Sequence, residues 1–383
     1  MAFRPERQRF ADERGTMSSV TKVSTGWRAR WRTPDGKSRS KTFARKIDAE
    51  KHLTGTDHAK LTGAYVDPGA GRITFRTYGE QWRAVQVHRP STAVQLETNL
   101  RRHVYPTLGD RPIGAIRPSE VQAWVRSLAE VLEPSTVELV FRYVVAIFRA
   151  AAADRIIPQN PAVGTRLPKA EPRRVEPLEA EVVQAIIEAV PDRYRALVVL
   201  AAGTGLRQGE CFGLTLDRVD FLRRQLTVDR QLVLLPGSGP VLGAPKTQAS
   251  YRVVPLPAVV LDALAAHLAR YPVGPDGFLF TNHAGEPIRR TRFSDVWRPA
   301  VKASGAPMGT GFHSLRHFYA SLLIRHGESV KVVQARLGHA SAAETLDTYS
   351  HLWPDSEDRT RAAVDEVLGP RVSPACHAEE AGT

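Results

Sequence analysis

Two stretches lying about a hundred residues apart hold the side chains that most constrain how this chain can fold. The first is Thr204-Gly-Leu-Arg-Gln-Gly-Glu210. The second runs from His313-Ser-Leu-Arg316 through Leu337-Gly-His339 to Tyr349, a span of 37 residues. Each member has a plain structural explanation when taken alone. Arg207 can pair with Glu210 three residues on. His313 and Arg316 share a helix face after Gly309-Thr-Gly311. A histidine in a turn is ordinarily inert, and a tyrosine is ordinarily a core or surface aromatic. Taken together, they set cations around a single phenol, an arrangement suited to attack of tyrosine on a phosphodiester.

The chemistry needs these residue types. A free phenol has a pKa of about 10, so only on the order of 0.1% is ionised at neutral pH. Nearby positive charge favours the phenolate, and the cations are expected to lower the pKa of Tyr349. During attack the non-bridging oxygens gain charge. Two planar guanidiniums, Arg207 and Arg316, can bind them through geometrically fixed hydrogen bonds. Donors placed where charge develops contribute roughly 3–4 kcal/mol each. A protonated group must also supply the leaving oxygen. Arginine takes the place of a metal as charge stabiliser, so no metal or other cofactor is required.

Composition points the same way. The chain has 383 residues and a formal charge of +13, so a polyanion, nucleic acid first, is the expected partner. Its length suggests two or three domains with ample core. The start, Met1-Ala-Phe-Arg-Pro-Glu-Arg7, lacks the apolar segment of a signal peptide. The longest apolar run, Ala196 to Ala202, is far too short to cross a bilayer. Cys211 and Cys376 offer no metal-ligand spacing. A reducing cytoplasm, in association with the nucleoid and away from membranes, is the expected setting.

The first 63 residues hold 15 Lys and Arg against 7 Asp and Glu. Within them Trp27-Arg-Ala-Arg-Trp-Arg-Thr33 alternates with period two. A strand there puts Trp27, Ala29 and Trp31 on one face and Arg28, Arg30 and Arg32 on the other. Pro34-Asp-Gly36 is a turn signal, and Lys37 to Phe43 returns as a second strand with Arg39 and Lys41 on one face. Phe43 shares their parity, so a bulge or strand end is expected there. Ala44 to Leu61 reads as a helix. The expectation is an N-terminal DNA-binding domain, 1–66, that presents Arg28, Arg30, Arg32, Arg39 and Lys41 to a groove.

After a linker at Asp67-Pro-Gly-Ala-Gly71, four helical stripes define a domain over 72–164. The first carries Phe75, Tyr78, Trp82 and Val85 behind a Thr74 cap. The second carries Leu96, Leu100 and Val104. The third, opened by Pro118, carries Val121, Trp124, Val125 and Leu128. The fourth, capped by Ser135, carries Val137, Phe141, Val144, Val145 and Phe148. Residues 165–177 form a proline-stiffened basic tether that includes Arg173 and Arg174. Helices dominate 178–370, with β-type runs at 225–228, 231–235 and 252–256, and 371–383 reads as a disordered tail. The fold class is mainly α with small β-sheets (α+β).

The order Thr-Gly-Leu-Arg…Lys…His-x-x-Arg-His…Leu-Gly-His…Thr-Tyr-x-His resembles the tyrosine recombinases, the phage-type integrases. Leu214-Thr-Leu-Asp-Arg-Val-Asp220 and Pro245-Lys-Thr-Gln-Ala-Ser-Tyr-Arg-Val-Val-Pro-Leu256 extend the resemblance, which covers about half the chain. The tripartite layout also resembles integrases with a separate arm-binding domain. The resemblance implies a four-helix core-binding domain and a mixed α/β catalytic domain. It implies Tyr349 as nucleophile, Arg207 and Arg316 as phosphate clamps, and Lys246, in a hairpin turn at Pro245-Lys-Thr, as general acid. It gives His313 and His339 supporting hydrogen-bonding and proton-transfer roles.

The product would be a 3′-phosphotyrosine and a free 5′-hydroxyl, rejoined without ATP. The implied partners are double-stranded DNA at core and arm sites and a homotetramer on that DNA. A host DNA-bending protein or a directionality factor would be an accessory partner. The last helix, Asp355 to Leu368, has Ala363, Val364, Val367 and Leu368 on one side and would dock on a neighbouring subunit. Three other readings compete: a type IB-like topoisomerase, a metal-dependent transposase or nuclease, and a non-enzymatic DNA-binding or architectural protein.

Overall fold

The computed structural model describes residues 9–11, 17–169, 174–235, 239–353 and 357–368. The chain divides into two compact units, Met1–Glu171 and Pro172–Thr383.

The first unit opens with an antiparallel sheet of order β1-β2-β3-β4, from strands β1 (Arg9–Ala11), β2 (Met17–Val23), β3 (Gly26–Arg32) and β4 (Ser38–Phe43). Helix α1 (Lys46–Leu61) packs on it. Period two decides the faces of β3. Ala29 and Trp31 are buried with Ala49 and Leu53 of α1, whereas Arg30 and Arg32 are exposed. Trp31 Nε1 donates to Tyr65 Oη at 2.9 Å, which satisfies its polar end.

Strand β4 pairs without a bulge through Phe43, which lies opposite Trp27. Directly paired residues in an antiparallel ladder project to the same face. Arg39 and Lys41, opposite Trp31 and Ala29, therefore share the helix-side face with Phe43. They do not extend the face of Arg28, Arg30 and Arg32. Of the two alternatives expected at Phe43, the strand end is the one found: β4 stops there without a bulge, and the Phe43 side chain joins the small core beside Trp27.

Helices α2 (Phe75–Ala84), α3 (Pro90–Asn99), α4 (Pro118–Ala129) and α5 (Pro134–Ala153) complete this unit. α3 continues as a π-helical stretch over Leu100–Gly109. Their apolar stripes form one core around Trp124, Phe75 and Phe148. Thr74 caps α2 by accepting from Thr77 N–H at 3.1 Å. Two details depart from the sequence reading. α5 begins at Pro134 with Glu133 as N-cap, so Ser135 lies inside the first turn. Val85 is the C-cap of α2 and is exposed. The stripe ends at Trp82, two residues before the helix does.

The second unit begins with α6 (Ala180–Ala189), α7 (Asp192–Thr204) and the short α8 (Gln208–Phe212). Strands β5 (Val219–Asp220), β6 (Gln225–Val228), β7 (Gln231–Leu235), β8 (Gly239–Gly243) and β9 (Arg252–Pro255) follow. They make a three-stranded sheet, β5-β6-β9, and a separate hairpin, β7-β8. Next come α9 (Ala258–Arg270), α10 (Arg290–Ala303), α11 (Ser314–Arg325), α12 (Val330–Leu337), α13 (Ala342–Tyr349) and α14 (Glu357–Leu368). The main core is built on the nearly all-round apolar α7, and a smaller cluster joins Tyr319, Leu337 and Tyr349. Among the described residues no helix is long and apolar enough to cross a membrane.

Candidate active site

Two glycines bring the distant stretches together. Gly205 ends α7 and Gly338 ends α12, each in the left-handed conformation, with φ of +63° and +67°. A side chain would be strained at either position. A Cβ on Gly205 would lie 2.4 Å from the Tyr319 ring, and one on Gly338 would lie 3.0 Å from Ala249 O. The carbonyls of these turns hold the two arginines. Arg316, 2% exposed, donates from Nη1 to Gly205 O and from Nη2 to Leu337 O, both at 2.7 Å. Arg207 donates from Nη2 to Gly338 O at 3.1 Å.

Glu210 sits beneath this pair. Its carboxylate accepts from the Arg207 backbone N–H at 2.9 Å and from Arg207 Nη1 at 3.1 Å. Arg252 from β9 completes the network, donating to Glu210 from Nη2 at 2.8 Å and from Nη1 at 3.2 Å. Arg252 also donates to Arg336 O at 2.8 Å and Ser250 O at 3.0 Å. Burial alone would raise the Glu210 carboxyl, but the hydrogen bonds and charge of Arg252, with those of Arg207, hold it below the ordinary range. Arg207 thus forms the i,i+3 pair with Glu210 and also reaches the turn before His339. Sequence reasoning missed Arg252; its signal was the arginine in Ser-Tyr-Arg-Val-Val-Pro.

Tyr349, 1% exposed, closes α13. Its hydroxyl stands 2.8 Å from His317 Nδ1, and its ring stacks on that of His339, with centroids 6.4 Å apart and planes at 10°. His313, the N-cap of α11, meets His317 edge-on at 4.8 Å. His339 Nδ1 lies 2.9 Å from Thr345 Oγ1. His317 was overlooked although it is the last residue of His-x-x-Arg-His. Position i+4 from His313 puts it on the same helix face, which was the available signal.

Electrostatics correct one expectation. Burial pushes Tyr349 up to about 12, and the opposing charge of Arg316 does not compensate. Desolvation of the phenolate outweighs the cations in this closed arrangement. Burial and neighbouring cations push His313 and His339 down to about 4, so both rings are neutral at pH 7. Burial and Arg207 bring Arg316 down to about 9, and it remains charged at pH 7.

Arg207, Arg316, His339 and Tyr349 therefore lie in one contact network, with His313 joined through His317. Lys246 is exposed and lies past the end of β8, not in the turn of the β7-β8 hairpin, because β8 runs on to Gly243. The segment after it leads back to the site. Thr247 Oγ1 and Ser250 Oγ are 2.9 Å apart, and Ser250 Oγ accepts from Arg207 Nη1 at 3.4 Å. Among the described residues Arg28, Arg30 and Arg32 have no carboxylate partner. Arg39 is held by Asp67 (Nη2–Oδ2 2.5 Å), and the Lys41 ammonium stands 5.3 Å from the centre of the Phe43 ring. Arg174 is exposed. Arg173 and the tail 371–383 lie outside the described residues. No group of three or more His, Cys, Asp or Glu is arranged to hold a metal among the described residues.

Comparison with known proteins agrees with this architecture. A sequence profile of the phage integrase family matches residues 176–355, and one of the phage integrase central domain matches 75–167. A XerC-like tyrosine recombinase of Caldanaerobacter subterraneus is 27% identical over 363 residues, which cover 87% of this chain and 91% of that protein. The Tn1549 transposon integrase, solved with circular-intermediate DNA, is 25% identical with a TM-score of 0.65, covering 77% of this chain and 100% of that one. Lambda integrase, solved as a tetramer bound to a Holliday junction, shares the fold at 20% identity and a TM-score of 0.55, over 85% of this chain and 96% of that one. The chain belongs to the tyrosine recombinase, or phage integrase, family. It is an enzyme that cuts and rejoins DNA strands.

Proposed function

We propose that the chain is an integrase that joins two DNA sites through a covalent 3′-phosphotyrosine at Tyr349, without ATP or metal. The observation that carries this reading is the joining of Arg207, Arg316, His339 and Tyr349 through the two glycine turns. Arg207 and Arg316 bind the non-bridging oxygens of the scissile phosphate. Each carries charge and is fixed by carbonyl acceptors, so the donors are set before the reaction. His313 and His339, neutral at pH 7, act as hydrogen-bond partners of the phosphate rather than as fixed charges. Lys246, on an exposed segment that leads into the Arg207 contact, protonates the leaving 5′ oxygen when DNA draws it in.

The sheet face of Arg28, Arg30 and Arg32 binds a second DNA site, with Arg173 and Arg174 as further phosphate contacts. Four copies assemble on two duplexes, as lambda integrase does on a junction. Val364, Val367 and Leu368, exposed on α14, are the surface for the neighbouring subunit. A host bending protein or directionality factor would set the direction, and the cytoplasmic nucleoid is the setting.

A plasmid assay tests this. The duplex sequence that the full chain enriches from a random library is placed twice in one supercoiled plasmid, and the reaction is run in excess EDTA. The proposal expects deletion or inversion between the sites. Relaxation without exchange would identify a topoisomerase, and loss of reaction in EDTA would identify a metal-dependent nuclease.

A further inference from the structure

The buried phenol poses a problem that the clamps do not solve. Burial raises the Tyr349 pKa above that of a free phenol, so the phenolate is scarcer still at pH 7. Attack from this state needs a group that takes the proton as the bond to phosphorus forms. Resting on the assignment of Tyr349 as nucleophile, we propose that His317 is that base.

The geometry is direct. His317 Nδ1 is 2.8 Å from the hydroxyl and is its hydrogen-bond partner among the described residues. That distance lies within the reach required of a general base. The two rings meet at 64° with centroids 5.6 Å apart, so a ring nitrogen and not the ring face meets the oxygen. His313 approaches the ring of His317 rather than the hydroxyl. His339 lies flat against the phenol and turns Nδ1 toward Thr345. Burial, with Arg316 adding to it, holds His317 below the ordinary histidine range, so the ring is uncharged at neutral pH. With its own proton on Nε2, Nδ1 presents a lone pair to the phenol.

The step balances. The Oη–H bond breaks and its proton passes to Nδ1, while Oη forms the bond to phosphorus. The bond from phosphorus to the 5′ oxygen breaks, and that oxygen takes a proton from a separate donor, Lys246. Religation reverses both transfers. Burial and Arg316 on the same helix disfavour a lasting imidazolium, so the proton is returned when Tyr349 becomes the leaving group. His317 is then a catalytic residue acting on both halves of the exchange.

The test uses the full chain and a nicked duplex of the sequence it enriches from a random library, on which cleavage traps the adduct. His317→Ala and His317→Asn should bind this duplex as the parent does. They should cleave it roughly 100- to 10,000-fold more slowly at pH 7. Their rate should climb about tenfold per pH unit toward pH 9, as hydroxide replaces the lost base, while the parent's rate levels off. Placing 3,5-difluorotyrosine at position 349, a more acidic phenol, should restore much of the lost rate in His317→Ala and change the parent little. The asparagine variant keeps a hydrogen-bonding side chain, so it answers the question if the alanine variant folds poorly. Parent-like cleavage by either variant, or parent-like pH dependence, overturns the role of His317. Adduct formation by Tyr349→Phe would instead locate the failure in the choice of nucleophile.

Discussion

Replacing Arg252 with alanine removes the side chain that ties three parts of the site together. Its guanidinium holds both oxygens of Glu210, the Arg336 carbonyl before the His339 turn, and the Ser250 carbonyl after Lys246. The Arg252 and Glu210 side chains are 5% and 2% exposed, so the pair is buried. Removing one partner of a buried pair costs about 3–5 kcal/mol, since the other charge is left without compensation. Glu210 keeps two hydrogen bonds from Arg207, at 2.9 and 3.1 Å, which favours the lower end, ~3 kcal/mol. For a unit of this size that is a fall of roughly 6–12 °C in Tm.

The pH dependence has a definite sign. Glu210 is held below its ordinary value of 4.5, so its contribution to stability is complete above that value and is lost as pH falls through the folded-state value. Without Arg252 the folded-state value moves up toward the unfolded one, so the part of the acid-induced loss of stability that Glu210 contributes shrinks. Calorimetry of the full chain from pH 7 down to pH 4 reads both effects. A fall in stability below ~1 kcal/mol, with an unchanged acid limb, would refute a buried and mutually dependent pair. The double replacement Arg252→Met with Glu210→Leu should recover much of the stability but no cleavage, because Arg207 loses its carboxylate.

Arg316→Lys should lower adduct formation at least 100-fold with duplex binding largely kept, since one ammonium cannot span Gly205 O and Leu337 O and still face a phosphate; near-parent adduct formation would count against the clamp. Thr345→Val leaves His339 Nδ1 without its partner and should slow cleavage about tenfold, as read on the same nicked duplex; an unchanged rate would show that this hydrogen bond does not orient His339. Affinity for duplex DNA should fall steeply between 50 and 200 mM salt. Replacing Arg28, Arg30 and Arg32 by alanine should flatten the slope by roughly 0.9 for each phosphate that is no longer neutralised; an unchanged slope would place DNA elsewhere.

Much of this architecture is readable in sequence because it depends on local periodicity. The alternation through Trp27–Arg32 specifies a strand with one apolar face, and the segments at 225–228 and 231–235 are short β-type runs. What local pattern does not carry is pairing. The alignment of Phe43 with Trp27 moves Arg39 and Lys41 to the helix side, and only the register decides this. Lys246 falls outside the hairpin turn because β8 extends to Gly243, a limit set by pairing with Gln231. At the site, the residue types announce the chemistry, but burial is a property of the assembled core. The rise in the Tyr349 pKa follows from packing against Tyr319 and Leu337, and the cations visible in the sequence give the opposite sign. His317 and Arg252 were missed for a related reason: each acts through a partner, Tyr349 and Glu210 respectively, that sequence separation hides.

The most direct measurement is the identity of the DNA-linked residue. The full chain is trapped on the nicked duplex in EDTA, digested, and the nucleotide-bearing peptide sequenced by mass spectrometry. The account predicts a 3′-phosphate ester on Tyr349, absent from Tyr349→Phe. A nucleotide on any other side chain, or strand cleavage with no protein-linked product, would contradict it.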